Sequence, residues 1–225
     1  MSAGLSPFTA HFGFSATPFS KSIPADKLFR RAGHLEAVAR IQYCIAESAL
    51  GVLTGDVGAG KSVALRAAVA GLDRTRYTVI YLANPSGGCR GLYVAITTAL
   101  GATPRFHKAE AIAQVATLLE TEQAERHRRV VLLIDEAHLL SPEQLEELRL
   151  LANAEMDSAS PFAGLLIGQP MLASRLRQGM FAAYVARGTM SRCRWNDPVE
   201  SVGAVSVGRH NYSPSRKASS LSVGL

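Results

Sequence analysis

The chain has 225 residues, 48% of them hydrophobic, so it is long enough to bury one substantial core and leaves no room for a second large domain. Its net charge is +6, of which residues 184–225 contribute +4, with six basic and two acidic residues. Residues 1–183 hold eighteen basic and sixteen acidic residues, and this near balance does not indicate a nucleic-acid-binding face on the core. Three cysteines without metal-ligand spacing, Cys44, Cys89 and Cys193, and the lack of a signal-peptide pattern or long apolar run favour a cytoplasmic protein with free thiols.

The first predicted element lies within residues 25–48, which have the pattern of a loop followed by an amphipathic helix. Apolar side chains recur there every three or four residues, the spacing that places them on one helical face. We expect the buried face of this helix to include Leu35, Val38, Ile41 and Ile45.

A glycine-rich loop follows, between an apolar strand at residues 50–54 and a helix at residues 62–70. The loop fits the pattern G-x-x-x-x-G-K-[ST], in which backbone N–H groups converge on phosphate because glycines leave room for the anion. Lys61 would reach the β- and γ-phosphates of a nucleoside triphosphate, and the Ser62 hydroxyl would bind Mg²⁺. The predicted nucleotide-binding residues are Gly55, Asp56, Val57, Gly58, Ala59, Gly60, Lys61, Ser62 and Val63.

An acidic pair, Asp135 and Glu136, ends the third predicted strand at residues 130–134. The second strand, at residues 78–82, comes earlier and is followed by two helices, at residues 89–100 and 108–127. Carboxylates at the carboxyl end of a buried strand lie on the edge where parallel sheets bind ligands. We expect Asp135 to hold Mg²⁺ through water and Glu136 to act as the general base toward an attacking water.

Three further elements complete the patterned part of the chain. Ser141 and the proline after it begin a helix that runs to about Ala154, residues 162–168 form a fourth strand, and another helix begins near Met171. The alternation of strands and helices predicts a three-layered α/β fold, a parallel sheet with helices on both faces. We place the strand that ends before Asp135 beside the strand at residues 78–82.

Residues 184–225 are rich in Ser, Arg and Gly and have no sustained period. This composition favours an irregular, disordered tail, with no legible fifth strand and only one weak strand pattern at residues 199–207. The abrupt loss of pattern after Ala183 suggests a truncated or frame-shifted copy, which translation of the other two frames would test. We therefore divide the chain into an N-terminal extension at 1–24, a core at 25–183 and a tail at 184–225.

Several short motifs together resemble the ExeA-like branch of AAA+ ATPases, over about residues 11–183. That branch includes a secretion-pathway ATPase and is similar to the TniB-like and MuB-like helper ATPases of bacterial transposons. The residues that carry the resemblance are Phe12-Gly13-Phe14, Pro18-Phe19, Leu28-Phe29, His34-Leu35-Glu36-Ala37, Leu53-Thr54-Gly55 with the glycine-rich loop, Asp135-Glu136-Ala137-His138 and Gly168-Gln169-Pro170.

The resemblance implies an additional-strand P-loop sheet that binds ATP and Mg²⁺, and it adds possible roles for three polar residues. Gln169 occupies the sensor 1 position, where it would touch the γ-phosphate or the attacking water; it also suits an ordinary turn. Asn84 would be the polar switch that holds Glu136 away until a partner binds, or a turn residue. His138 fits the family pattern, but its position favours a packed or solvated histidine over a catalytic one.

An ATPase of this branch is also expected to carry an arginine finger and a small C-terminal helical lid. Neither is legible in the sequence, so we expect the lid to be missing and hydrolysis to be slow, because an arginine supplied across a subunit boundary raises the rate of related enzymes by ~10³–10⁵. Arg175 and Arg177, on the helix after Gln169, would act in this way on a neighbouring subunit or would be solvated.

Two functions fit the resemblance. The first is a regulatory ATPase that assembles on DNA as a homo-oligomer and serves a transposase; the second is the ATPase module of a secretion or envelope-remodelling system with a membrane partner. We favour the first because the sequence shows no transmembrane or peptidoglycan-binding region after the ATPase part. A nucleotide-binding module with little turnover is a third candidate. A helicase would need two motor domains, and a small-molecule kinase would need a lid and an acceptor site.

Overall fold

Five strands form a single parallel sheet in the part of the chain that the computed structural model describes, residues 11–13, 32–153, 160–177 and 190–194. The strands are β1 Leu50–Thr54, β2 Tyr77–Leu82, β3 Arg129–Ile134, β4 Phe162–Gly168 and β5 Met190–Arg194. Their order across the sheet is β2-β3-β4-β1-β5, and every neighbouring pair is parallel. The predicted α/β fold and the pairing of β3 with β2 are confirmed.

Within residues 32–177, as far as the structure describes them, six helices and one 3₁₀ turn precede or follow these strands. They are α1 Ala32–Ala46, α2 Lys61–Ala70, α3 Gly88–Ala99, α4 Lys108–Ala124, the 3₁₀ turn Ala137–Leu139, α5 Pro142–Ala152 and α6 Pro170–Arg177. Helix α4 ends three residues earlier than predicted, just before a segment in which His127 has the left-handed φ of 51°. A side chain at positive φ is outside the helical region, so the helix stops there.

The two faces of the sheet carry two separate cores, which makes the fold three-layered. Val130, Leu132 and Ile134 of β3 pack with α3, α4, α5 and α6, whereas Val131 and Leu133 of the same strand pack with α1 and α2. Alternate residues of a strand point to opposite faces, so a strand buried on both faces must be apolar at every position. This is why β3 is a continuous aliphatic run.

The buried face of α1 differs from the prediction at one residue. Ile41 and Ile45 are buried and Val38 packs against the same core, but Leu35 is 50% exposed. Leu35 precedes Ile41 by six residues, which is about 120° around the helix axis at 3.6 residues per turn. Ala37 and Cys44 complete the buried face instead.

The prediction that no fifth strand follows Ala183 is wrong. Residues Met190–Arg194 pair with β1 in parallel, from Leu50 opposite Met190 to Thr54 opposite Arg194. The strand mixes Met190 and Cys193 with a serine and two arginines, a composition that suits an edge strand and differs from the aliphatic runs of β3 and β4. The predicted weak strand at 199–207, the expected loss of the lid and the rest of the predicted tail lie outside the described residues.

None of the helices in the described ranges is both long and apolar enough to cross a membrane. Neither Cys44, which is buried, nor Cys89, which is half-buried, forms a disulfide within the described residues.

Candidate functional site

The glycine-rich loop, residues 55–62 and named the P-loop below, joins β1 to α2 at the carboxyl edge of the sheet. Gly58 and Gly60 have φ values of 80° and 93°, a left-handed conformation that only glycine adopts without strain. Helix α2 begins at Lys61, and the Gly60 carbonyl accepts bonds of 3.0 Å from the N–H groups of Val63 and Ala64. The loop therefore has the backbone shape that gathers N–H groups and a helix N-terminus around an anion.

Lys61 lies over the P-loop with its ammonium group fixed by the backbone. Its Nζ donates to the carbonyl oxygens of Gly55 and Asp56, both at 2.9 Å. The positive charge is thus held on the loop whose N–H groups would bind phosphate, and the predicted contact of Lys61 with the β- and γ-phosphates stays a prediction.

Ser62 and Asp135 come together although they are 73 residues apart in the chain. The Ser62 Oγ donates to Asp135 Oδ2 at 3.4 Å. A hydroxyl and a carboxylate are the oxygen ligands that Mg²⁺ uses in nucleotide sites, where substrate phosphates and water fill the other positions. Within the described residues no group of three or more His, Cys, Asp or Glu side chains gathers as a metal cage. The donor set therefore fits a nucleotide-borne Mg²⁺.

Tyr81 is a member of this site that the sequence analysis missed. Its hydroxyl donates to Asp135 Oδ2 at 2.9 Å, and partial burial together with this hydrogen bond and the nearby carboxylates raises the pKa of Tyr81 to about 12. The predicted pairing of β2 with β3 was the signal, because Tyr81 lies opposite Leu133, two residues before Asp135. Asp135 Oδ1 accepts from the Glu136 N–H at 2.9 Å, so both carboxylate oxygens are oriented.

We expect Tyr81→Phe to weaken Mg²⁺ binding to the nucleotide complex by about 10-fold, because a hydrogen bond to a charged group contributes about 1.5 kcal/mol or more. Titration of Mg²⁺ against a fluorescent ATP analogue measures the change. Tyr43→Phe, a half-exposed tyrosine on α1, is the control. An unchanged Mg²⁺ midpoint in Tyr81→Phe contradicts the prediction.

Glu136 follows β3 in an unusual backbone conformation. Its φ and ψ are 50° and 33°, in the left-handed region, and its carboxylate is 54% exposed. The Nδ1 atom of His138 lies 3.3 Å from Glu136 Oε2, within ion-pair distance but without hydrogen-bond geometry. A positive φ at a residue other than glycine is strained and is found preferentially at functional sites.

Gln169 lies beside the P-loop, at the end of β4. Gly168, immediately before it, accepts a hydrogen bond of 3.3 Å from the Gly55 N–H, and the Gln169 carbonyl accepts from Leu172 in the first turn of α6. This location at the edge of the sheet is compatible with the sensor 1 role, which stays a prediction.

Asn84 forms the ordinary turn that was its alternative interpretation. Its Oδ1 accepts from the Ser86 N–H at 3.1 Å. The buried side chain of Gln144 stabilises this turn, because its Nε2 donates to the Pro85 carbonyl at 2.8 Å. Gln144 also closes a capping box with Ser141, the predicted N-cap of α5. The polar-switch role of Asn84 stays a prediction.

Arg175 is engaged within its own chain. Its Nη1 donates to the His138 carbonyl and its Nη2 to the Leu140 carbonyl, both at 2.7 Å. The structure thus differs from both sequence alternatives for this residue, a finger directed at a neighbouring subunit and a solvated side chain. Arg177, on the same helix, is exposed.

Comparisons with known proteins agree with this geometry. A family model described as an AAA domain matches residues 45–176. The chain is similar to the general secretion pathway protein A of Aeromonas hydrophila, with 33% identity over 186 residues; the match covers 81% of this chain and 34% of the relative, so the chain spans about a third of the relative's length.

Two solved structures share the fold. One is the Cdc6p protein of Pyrobaculum aerophilum, with a TM-score of 0.59 and 20% identity, covering 78% of this chain and 48% of that one. The other is the ORC2 protein of Aeropyrum pernix in ADPNP and ADP complexes, with a TM-score of 0.56 and 17% identity, covering 78% and 50%. Since the family model spans more than half of the residues and includes the P-loop, Asp135 and Glu136, the chain belongs to the AAA domain family.

Proposed function

We propose that the protein binds ATP with Mg²⁺ in the P-loop and hydrolyses it to ADP and phosphate. The observation that carries the proposal is the convergence of the Lys61 ammonium on the P-loop and of Ser62 with Asp135, 3.4 Å apart, beside the exposed carboxylate of Glu136. Mg²⁺, when bound with the nucleotide, would neutralise charge on the β- and γ-phosphates.

The side chains divide the work. Lys61 and the P-loop N–H groups would hold the phosphates, and Ser62 and Asp135 would hold the metal. Glu136 would accept a proton from the attacking water, and Gln169 would orient that water or the γ-phosphate. Asn84 would restrain Glu136 until a partner binds. Phosphate release by the purified protein, measured with Mg²⁺ and with EDTA, tests the proposal, and equal rates in both conditions contradict it.

The secretion role is better supported than the transposition role that the sequence analysis favours. The relative with 33% identity is a secretion-pathway protein, which makes an ATPase module that acts through a secretion-system membrane partner the first candidate. Such a module would use ATP binding to change its assembly, as a homo-oligomer or with that partner. The neighbouring genes discriminate, because secretion components favour this candidate and a transposase gene favours the other.

One surface feature favours a DNA-linked role as a second candidate. Phe106, on the loop between α3 and α4, is 75% exposed, and the Arg90 guanidinium lies 5.1 Å from its ring centroid. Gln114 holds the loop by donating to the Thr103 carbonyl at 2.9 Å and accepting from the Arg105 N–H at 3.0 Å. An exposed ring among basic side chains is the arrangement on which nucleic-acid bases stack.

If DNA is the partner, Phe106→Ala should weaken DNA binding by about 5-fold or more, because a base stacked on an aromatic ring contributes about 1–3 kcal/mol. Fluorescence anisotropy with a labelled oligonucleotide at fixed salt measures the affinity, and the ATPase rate should stay the same. Tyr43→Ala removes an exposed ring from α1 and serves as the control. Equal DNA affinity in the two variants removes the support that this loop gives to a DNA-linked function.

A further inference from the structure

We propose that Arg175 and His138 are positioning residues that orient Glu136 and link its carboxylate to helix α6. The inference rests on the proposed role of Glu136 as the general base and adds two residues to it. Three contacts support it. Arg175 donates hydrogen bonds to the backbone of the 3₁₀ turn, the His138 side chain lies against the Glu136 carboxylate, and the end of β4 packs against the His138 backbone.

The first contact consists of two hydrogen bonds from the Arg175 guanidinium. Arg175 is half-buried and donates through separate nitrogens to the carbonyls of His138 and Leu140, at 2.7 Å each. These carbonyls lie at the end of the 3₁₀ turn, whose own hydrogen bonds each span only three residues. They run from the Leu139 N–H to the Glu136 carbonyl and from the Leu140 N–H to the Ala137 carbonyl. Charge-assisted bonds from a rigid guanidinium fix both the position and the direction of such a turn, which a lysine would not do.

The second contact passes this restraint to Glu136. The His138 side chain is only 10% exposed, and its Nδ1 lies 3.3 Å from Glu136 Oε2. Glu136 has a strained backbone and an otherwise exposed side chain, so its own surroundings leave its carboxylate free to turn. At this distance the packed imidazole limits where the carboxylate can lie, although no hydrogen bond joins the two groups.

The third contact is between the end of β4 and the turn that contains His138. A Cβ placed on Gly168 would lie 3.1 Å from the His138 backbone nitrogen and 3.1 Å from the Leu172 side chain. The end of β4, the turn after β3 and the first turn of α6 are thus packed without spare room. Since Gln169 directly precedes α6, a displacement at Gln169 would reach Glu136 through Arg175 and His138.

The functional test compares Arg175→Ala and His138→Ala with the wild type. We expect kcat for ATP hydrolysis to fall about 10- to 100-fold in each, because a misplaced catalytic group costs about that much, while KM and ATP affinity change less than twofold. Arg175→Lys, which keeps the positive charge but has a single donor nitrogen, should recover part of the rate. The double variant should be no slower than the slower single variant, since both act through one carboxylate. Arg74→Ala, which removes an exposed arginine before β2, and Ser174→Ala on α6 are the controls.

Amide hydrogen exchange supplies a second measurement that does not depend on turnover. In Arg175→Ala, residues 137–140 should exchange at least about 10-fold faster while β1 exchanges as in the wild type. If the wild type hydrolyses ATP and both alanine variants keep its kcat, the inference is overturned and the proposed function stands. The same holds if amide exchange in Arg175→Ala becomes faster while kcat does not change. A wild-type protein that shows no more turnover than Glu136→Gln overturns the proposed function, and the inference falls with it.

Discussion

Replacing Glu136 with Gln is expected to lower kcat for ATP hydrolysis by about 10²–10⁴-fold, the contribution of a positioned general base. Glutamine keeps the size and the backbone requirements of the residue, and the Glu136 N–H still bonds to Asp135 Oδ1. ATP affinity should therefore stay within a fewfold of the wild type, because the phosphate-binding groups lie on the P-loop. Steady-state phosphate release measures the first quantity, and calorimetry with a non-hydrolysable analogue measures the second.

The matched control is Glu120→Gln, which removes an exposed carboxylate from α4. It should turn over at the wild-type rate. A Glu136→Gln protein that hydrolyses ATP as fast as this control would show that another group activates the water.

The second large effect is expected from Lys61→Ala, which should weaken ATP binding by at least about 100-fold. The variant removes the ammonium held on the P-loop, and charge-assisted bonds to phosphate are among the strongest that a site can make. Calorimetric titration with ATP and Mg²⁺ measures the loss. Lys61 makes only two backbone bonds, an exposed one to the Asp56 carbonyl and a part-buried one to the Gly55 carbonyl, so the fold should survive, which circular dichroism verifies.

Lys108→Ala provides the comparison for that experiment. It removes the same charge from the half-exposed start of α4, where Lys108 pairs with Glu147, and it should lower stability without changing ATP affinity. Equal ATP affinity in Lys61→Ala and Lys108→Ala contradicts the assignment of the nucleotide site.

The sequence predicts the local parts of the site well because their geometry depends on consecutive residues. The glycines of the P-loop, the aliphatic run of β3 and the Ser141 cap each specify a backbone conformation within a few positions. The pairing of β3 with β2 was also predicted, because a parallel sheet with helical crossovers allows few arrangements.

The missed features depend on contacts between distant residues. Arg175 bonds a carbonyl 37 residues away, and Tyr81 bonds a carboxylate 54 residues away. A bond from a side chain to a backbone carbonyl requires no particular residue type at the acceptor, so no sequence pattern announces it. The edge strand β5 was missed for a different reason, because its charged residues hide the apolar run that marks buried strands.

Under the proposed function, the neighbours of β1 indicate which parts of the molecule would move when nucleotide binds. β1 is bonded along its whole length to β4 on one side and to β5 on the other. A strand that is hydrogen-bonded to a neighbour on both sides resists displacement, so β1 should keep its position beneath the P-loop. If the protein hydrolyses ATP as we propose, we therefore expect the segments that follow β3 and β4, and not β1, to move during the cycle.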